Sequence, residues 1–282
     1  MTELVSKGHP DKLADLISEV VVKNCKGKVA CETLITGNTI IIAGEVTNFS
    51  AGVYDAIRKA LKDVGYSDNW NIVNYTQKQS EELAKMTKAN DQSIAWGYAC
   101  KEKYYMPKEY GIAYDALLKL EDPRLEPDKK ILVDGNKISV SVSHKGSVED
   151  ARKVVRELLG DDVIVNPAGS FTIYGPYGDT GVTGRKLACD FYGQNIPIGG
   201  GALFGKDMSK MDKSMALYAR KKAIEVLQKF DVYEVKVKCS CMIGDEFFKV
   251  QYLDETEYVS VDELNKLKEP DVWCPMLTYE YK

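Results

Sequence analysis

Histidine is nearly absent from this 282-residue chain, which has only His9 and His144. The seven cysteines (25, 31, 100, 189, 239, 241 and 274) are odd in number and scattered. The usual Cys/His zinc spacings therefore cannot be assembled. Only Cys239 and Cys241 are close, and strand alternation would point both to one side. Core thiols in a reducing compartment are expected. No apolar run approaches the roughly 18–20 residues of a membrane span. The opening MTELVSKGHPDK lacks the apolar core of a secretion signal. Together these absences predict a cytoplasmic protein with no membrane partner.

Excess positive charge is missing too. The net charge of −4 argues against non-specific nucleic-acid binding. The charge is uneven, however. Residues 205–222 carry six Lys/Arg against two Asp, whereas residues 223–282 carry seven Lys against thirteen acids. A local basic patch in an acidic protein suits a small anionic ligand, and it is equally compatible with a solvated helix face. Hydrophobic residues at 44% and charged ones at 28% are ordinary for a globular chain, which at this length can hold two or three subdomains.

The pattern repeats as hairpin plus helix. In 11–24, Leu13, Leu16, Ile17, Val20 and Val21 form one helical stripe, with Pro10 at the first helical position and His9 near the cap. Runs 28–35 and 39–47 read as a hairpin around Gly37-Asn38. Ser50 is expected to cap a second helix that Gly65 ends. A hairpin around Asp134-Gly135 precedes a capped amphipathic helix at 147–160. A third round runs from a helix at about 214–229, through strands near 232–242 and 247–253, to a short helix at 261–268. Residues 76–92 and 100–112 read as loops. The expected fold class is α+β, with three similar units about a pseudo-threefold axis and helices on one face of the sheets.

Residues 175–186, GPYGDTGVTGRK, place glycine at 175, 178, 181 and 184, with one aspartate inside and an Arg-Lys pair at the end. Neither the dinucleotide fingerprint nor the P-loop fits this spacing. Residues 200–207, GGALFGKD, match the P-loop up to Asp207, which stands where the metal-binding hydroxyl belongs; the preceding YGQNIPIGG is a poor strand. Other charged residues have bland readings when taken singly. Asp11 would complement a helix dipole, Glu32 and Glu45 would face solvent from strands, Asp91-Gln92 would cap a helix, and 205–214 would be a charged loop.

Taken together, these pieces resemble the S-adenosylmethionine synthetases. VSKGHPDKLADLIS (5–18), VACET (29–33), AGEVT (43–47), DQSIAWGYA (91–99), PDKK (127–130), NPAGSFTIYGPYGDTGVTGRK (166–186) and GGGALFGKDMSKMDKS (199–214) occur in the family's order. The resemblance implies three interleaved units, approximately 1–110 with the active-site loop, 111–168, and 169–282 with the phosphate loops. It also implies a reaction in which the methionine sulfur attacks C5′ of ATP and expels triphosphate, which is then cleaved to pyrophosphate and phosphate. The leaving group needs cations, and the forming sulfonium tolerates carboxylates.

By the same resemblance, His9 hydrogen-bonds the breaking C5′–O bond, and Asp11 and Asp179 hold two Mg²⁺ ions. Glu32 corresponds to a K⁺ ligand. Glu45 and Asp91 correspond to carboxylates on the methionine amino group. Asp128 and Lys130 reach the ribose and phosphates, and Phe171 stacks on adenine beside Ser170. Arg185, Lys186 and Lys206 form the triphosphate cradle with Ala202 in the adjacent turn, and Lys210 and Asp212 line the same pocket. A homodimer with active sites between subunits is implied, its interface formed by the sheet hairpins.

The chain departs from the family pattern in four places. Ser170 stands where an arginine is expected. The loop after KQS (78–80) is short, with Lys85 where a methionine-contacting glutamine belongs. Leu203-Phe204 and Asn90 replace Phe-Ser and Gly, and the family's final segment is expected to be absent. These differences leave an inactive nucleotide-binding paralogue as the alternative to a catalyst.

Overall fold

The structure is a computed structural model that describes residues 1–267. Cys274 and Lys268, the last residue of the expected final helix, lie outside the described residues. The first half of the chain runs β1 (Thr2–Val5), α1 (Pro10–Asn24), β2 (Lys26–Thr36), β3 (Thr39–Asn48), α2 (Val53–Val64), β4 (Asn71–Gln77), α3 (Glu81–Ala84), β5 (Ser93–Cys100) and α4 (Lys108–Lys119). Then follow β6 (Lys129–Asp134), β7 (Lys137–Val142), α5 (Val148–Leu159), β8 (Ile164–Val165), β9 (Gly181–Val182) and α6 (Leu187–Asp190). Helix α7 (Met211–Lys229) leads into β10 (Glu234–Cys241), β11 (Phe247–Tyr252) and β12 (Glu255–Ser260).

Three four-stranded sheets result, ordered β1-β6-β7-β8, β9-β2-β3-β4 and β5-β10-β11-β12. Each is an antiparallel hairpin joined on one edge by an antiparallel strand from a distant part of the chain. A long helix precedes each hairpin and packs over it and the imported strand: α4 on β6 and β1, α1 on β2 and β9, α7 on β10 and β5. This is an α+β architecture of three hairpin-plus-helix units. Each sheet draws strands from two of the ranges 1–110, 111–168 and 169–282.

Alternation decides which strand residues turn inward. On β2, Val29, Cys31, Thr33 and Ile35 are buried, while Glu32 is exposed on the other face. Val46, Ile40 and Ile42 of β3 meet them under Leu13, Ile17 and Val21 of α1. Gly65 closes α2 in the left-handed conformation at φ 109°.

Several expectations need correcting. Ser50 does not cap α2: the helix starts after Gly52, and Ser50 supplies only its backbone carbonyl to Val53 N–H. The stretch 100–112 is not all loop, because α4 starts at Lys108 and buries Tyr110, Ala113 and Leu117. That i, i+3, i+7 spacing was present in the sequence, interrupted by Gly111. Residues 76–92 contain the end of β4 and the short α3. Asp91 and Gln92 precede a strand rather than a helix, and β12 was not foreseen. None of the described helices is long and apolar enough to cross a membrane.

Helices α1 and α6 meet through charge. Lys12 and both its partners, Asp15 and Asp190, are fully buried; Lys12 Nζ donates to Asp15 Oδ2 at 2.8 Å and also to Asp190 Oδ1. It also lies 4.0 Å from the centre of the Phe204 ring. Burial pushes both carboxyls upward against the attraction of Lys12. Removing the ammonium would leave two buried carboxyls facing each other. Lys12→Met is expected to lower unfolding free energy by about 3–5 kcal/mol in urea titrations.

Candidate functional site

The site starts at the N-terminus of α1. His9 is the N-cap in extended geometry, and its Nδ1 accepts the Asp11 N–H at 3.2 Å. Pro10 then needs no donor of its own. Asp11 and Asp15 stand one turn apart on one helix face. Both receive the glycine-rich segment: Val182 N–H donates to Asp11 Oδ1 at 3.0 Å, and Gly184 N–H to Asp15 Oδ1 at 2.9 Å. Close approach explains the glycine just before them. A Cβ on Gly181 would lie 2.0 Å from the Pro10 carbonyl oxygen.

That docking delivers the two cations that follow. Lys186 Nζ donates to Asp11 Oδ2 at 2.6 Å, and Arg185 Nε lies 3.6 Å from Asp11 Oδ1. Burial would raise the pKa of Asp11, but the bonds from Lys186 and Val182 outweigh it and hold the carboxyl below its usual range. For His9, burial and then the Lys186 charge push the imidazole down to about 4, against the opposing pull of Asp11. It is a neutral ring at pH 7. Because Nδ1 accepts, its proton resides on Nε2.

A cleft of about 410 Å³ opens beside this helix end. Of the sequence-derived residues, it is lined by His9, Asp128, Lys130, Ser170, Phe171 and Asp179. Asp128, the residue before β6, accepts the Gly175 N–H at 2.9 Å through Oδ2. Burial raises its pKa to about 6, with the Gly175 amide and Lys130 opposing. Lys130 points outward from the same strand, half-exposed, 3.7 Å from Glu3. Phe171 is half-buried, and Ser170 and Asp179 are exposed. Tyr66 supports the floor: its hydroxyl donates to the Gly8 carbonyl at 2.6 Å, and a Cβ on Gly175 would strike it.

A second group lies along the 199–214 segment and does not line this cleft. The segment is tied to β2, where Cys31 N–H donates to the Gly205 carbonyl at 2.8 Å and Val29 N–H to Asp207 Oδ2 at 2.6 Å. Lys206 Nζ donates to Asp212 Oδ2 at 2.7 Å, and the Ser93 hydroxyl to Asp212 Oδ1 at 2.9 Å. Lys210 is the N-cap residue of α7. Ala202 approaches Gly184 and so adjoins Arg185. Glu45 on β3 stands opposite Ala30, which is itself bridged to Lys206. Asp91 is exposed, with Oδ1 accepting from the Gln92 N–H. Lys85 is in an exposed pair with Glu81 at 2.9 Å.

Sequence reasoning passed over Asp15, Lys12, Asp190, Tyr66 and His144. The i, i+4 relation of Asp15 to Asp11 was a usable signal. The others are joined to distant positions, Tyr66 to Gly8 across 58 residues, His144 to Phe171 across 27 and Lys12 to Asp190 across 178. Among the described residues, no group of three or more His, Cys, Asp or Glu side chains could hold a metal. A cation here would take its remaining ligands from a bound polyphosphate and water.

An α+β frame thus places Asp11 with Lys186 and Arg185 at a helix N-terminus, beside a cleft lined by His9, Asp128 and Lys130. The family models for the S-adenosylmethionine synthetase N-terminal and C-terminal domains match residues 1–93 and 173–267. The chain is 37% identical to the S-adenosylmethionine synthase of Paramagnetospirillum magneticum, over 93% of this chain and 81% of that one. It is 34% identical to the synthase of Borrelia garinii subsp. bavariensis, over 78% and 71%. A solved structure described as an unusual S-adenosylmethionine synthetase from Campylobacter jejuni superposes with a TM-score of 0.79 at 26% identity, covering 99% of this chain and 87% of that one. The chain belongs to the S-adenosylmethionine synthetase family.

The shifted groups yield a pH prediction. The raised folded pKa of Asp128 means that its stabilising contribution is complete below about pH 4 and is lost as pH rises through about 6. The depressed His9 pKa acts the other way, with stability lost as pH falls from about 6.5 toward 4. Relative to the parent, Asp128→Asn should therefore gain up to about 3 kcal/mol between pH 4 and 7, read by urea unfolding at stepped pH. A constant difference across that range would refute the assignment.

Proposed function

We propose that this chain synthesises S-adenosylmethionine from ATP and methionine, as a methionine adenosyltransferase. The methionine sulfur attacks C5′ of ATP, the C5′–O bond breaks with its electron pair on triphosphate, and water then cleaves triphosphate to pyrophosphate and phosphate. The observation that carries this reading is one cleft shared by neutral His9, Asp128, Lys130 and Phe171 beside the Asp11–Lys186 pair.

Charge gathers on the leaving oxygen, and this is where the chain's donors act. With its proton on Nε2, His9 donates a hydrogen bond to that oxygen. Lys130, Arg185, Lys186 and Lys206 neutralise the phosphates, arginine bidentately and lysine as a point charge. Ala202 adjoins the cradle, and Lys210 and Asp212 would join it from the 199–214 segment of the partner subunit. Asp128 takes the ribose hydroxyls, and Phe171, next to Ser170, takes the adenine. Glu45 and Asp91 hold the methionine amino group, with Lys85 and Lys210 near the amino acid.

Asp11 and Asp179 supply hard oxygen donors that would hold two Mg²⁺ ions, and these would polarise the polyphosphate oxygens. The Asp11 carboxylate accepts a hydrogen bond from Lys186; a phosphate that took over the ammonium would free the carboxylate for the metal. Glu32 is assigned to K⁺. The residues around 199–214 and Glu45 do not line the His9 cleft, which supports a homodimer that brings one subunit's set to the other's. Exposed Tyr75 beside the outward face of β3 is consistent with a sheet-to-sheet contact. A cytoplasmic setting fits the unpaired cysteines at 25, 31, 100, 189, 239 and 241. An inactive nucleotide-binding paralogue is not favoured, because the relatives reported above are named as synthases.

Incubation with ATP, methionine, Mg²⁺ and K⁺, with S-adenosylmethionine and phosphate assayed separately, tests the reading. Both products are expected. Tight ATP binding without either product would restore the paralogue. Lys186→Ala should lower kcat/KM by about 2–3 kcal/mol of transition-state stabilisation. An unchanged value removes Lys186 from the cradle. Triphosphate that accumulates without phosphate would mean that Ser170, lacking a cation, has separated the two steps.

A further inference from the structure

Phe171 lies in a stretch of turns between β8 and β9, with no strand or helix of its own to hold it. Its anchor is on the residue pair that follows β7. His144 is 2% exposed. Its backbone N–H donates to the Phe171 carbonyl at 3.1 Å, and the Phe171 N–H donates to His144 Nε2, also at 3.1 Å. Both main-chain groups of Phe171 are thus taken by one residue, in the manner of a one-rung β-bridge in which an imidazole replaces the second carbonyl. The preceding residue does the same for the opposite wall. Ser143 Oγ accepts the Asp128 N–H at 3.0 Å and donates to the Asp128 carbonyl at 2.8 Å. Consecutive residues 143 and 144 therefore set the separation of Asp128 from Phe171 across the cleft.

The imidazole is used through one nitrogen. Nε2 accepts, which leaves Nδ1 as the donor nitrogen of the ring. Nδ1 is buried and has no hydrogen-bond partner among the described residues. Burying a donor in this way is unfavourable, and what offsets it here is the bond to Phe171.

We infer that His144 is a positioning residue for the nucleobase: it fixes the Phe171 ring relative to Asp128, so that the cleft favours a triphosphate carrying a base over bare tripolyphosphate. This rests on the reading that ATP occupies the cleft with its base against Phe171.

Calorimetric affinities for adenylyl imidodiphosphate and for diimidotriphosphate, whose P–N–P bridges resist the cleavage proposed above, each with Mg²⁺, test it in the parent, Phe171→Ala, His144→Leu and His144→Gln. The preference for the nucleotide should fall about tenfold in Phe171→Ala, through the lost stacking of ring on base, and about tenfold in His144→Leu, through one buried hydrogen bond left unmade. His144→Gln, whose amide oxygen can stand where Nε2 stands, should retain most of the preference. General loosening of the fold would weaken both ligands alike and leave their ratio fixed. A fixed ratio in His144→Leu alongside a fallen one in Phe171→Ala overturns the inference and spares the reading. A fixed ratio in Phe171→Ala removes the base from that ring and overturns both. Should His144→Leu not fold, amide hydrogen exchange in the unsubstituted protein decides the matter. Slow exchange at Phe171 beside fast exchange at exposed Thr172 supports the latch, and equally fast exchange at both overturns it.

Discussion

Lys12, buried between Asp15 and Asp190, is the contact on which the docking of the glycine-rich segment against α1 depends. An ammonium held by two carboxyls in a dry core is a poor source of net stability, because desolvating three ionisable groups consumes most of their attraction. Its effect is geometric. Asp15 also accepts the Gly184 amide, and Asp190 closes α6, so the triad ties both ends of the 184–190 segment to α1. Asp11, one turn earlier, takes the Val182 amide and the Lys186 ammonium. Two carboxylates on one helix face thus bring an Arg-Lys pair to a helix N-terminus, where amide dipoles already favour an anion.

The sheets extend the same logic of borrowed parts. Each hairpin is completed by a strand from elsewhere in the chain, and the candidate residues cluster where such strands enter or hairpins end. His9 and Asp11 follow β1, Asp128 precedes β6, the strand that β1 pairs with, and Lys130 lies within it. Lys186 follows β9, which pairs with β2. Positions so far apart in the chain are held together by main-chain ladders, which tolerate little displacement. Rigidity of that kind is what electrostatic preorganisation requires, since donors that must reorganise contribute less.

Much of this was legible in the residues. The α1 stripe, the two hairpins with their Gly-containing turns and the Ser147 cap all rest on interactions within a few residues, so local pattern suffices. Helix α4 was readable from Tyr110, Ala113 and Leu117, although Gly111 obscured it. The α2 start was misplaced because Ser50 has the right side chain for a cap but lies two residues too early for its hydroxyl to serve. The importance of residues 166–186 and 199–214 followed from motif content. Their mutual position did not.

Residue types and local spacing by themselves determined the existence of three hairpin-plus-helix units. They did so because helix periodicity, strand alternation and turn chemistry are short-range properties. Only the tertiary structure decided that Asp11 holds Lys186, that Asp15 steadies Gly184, and that His144 latches Phe171. Those contacts span 175, 169 and 27 residues and depend on sheet register and burial, which no local window contains.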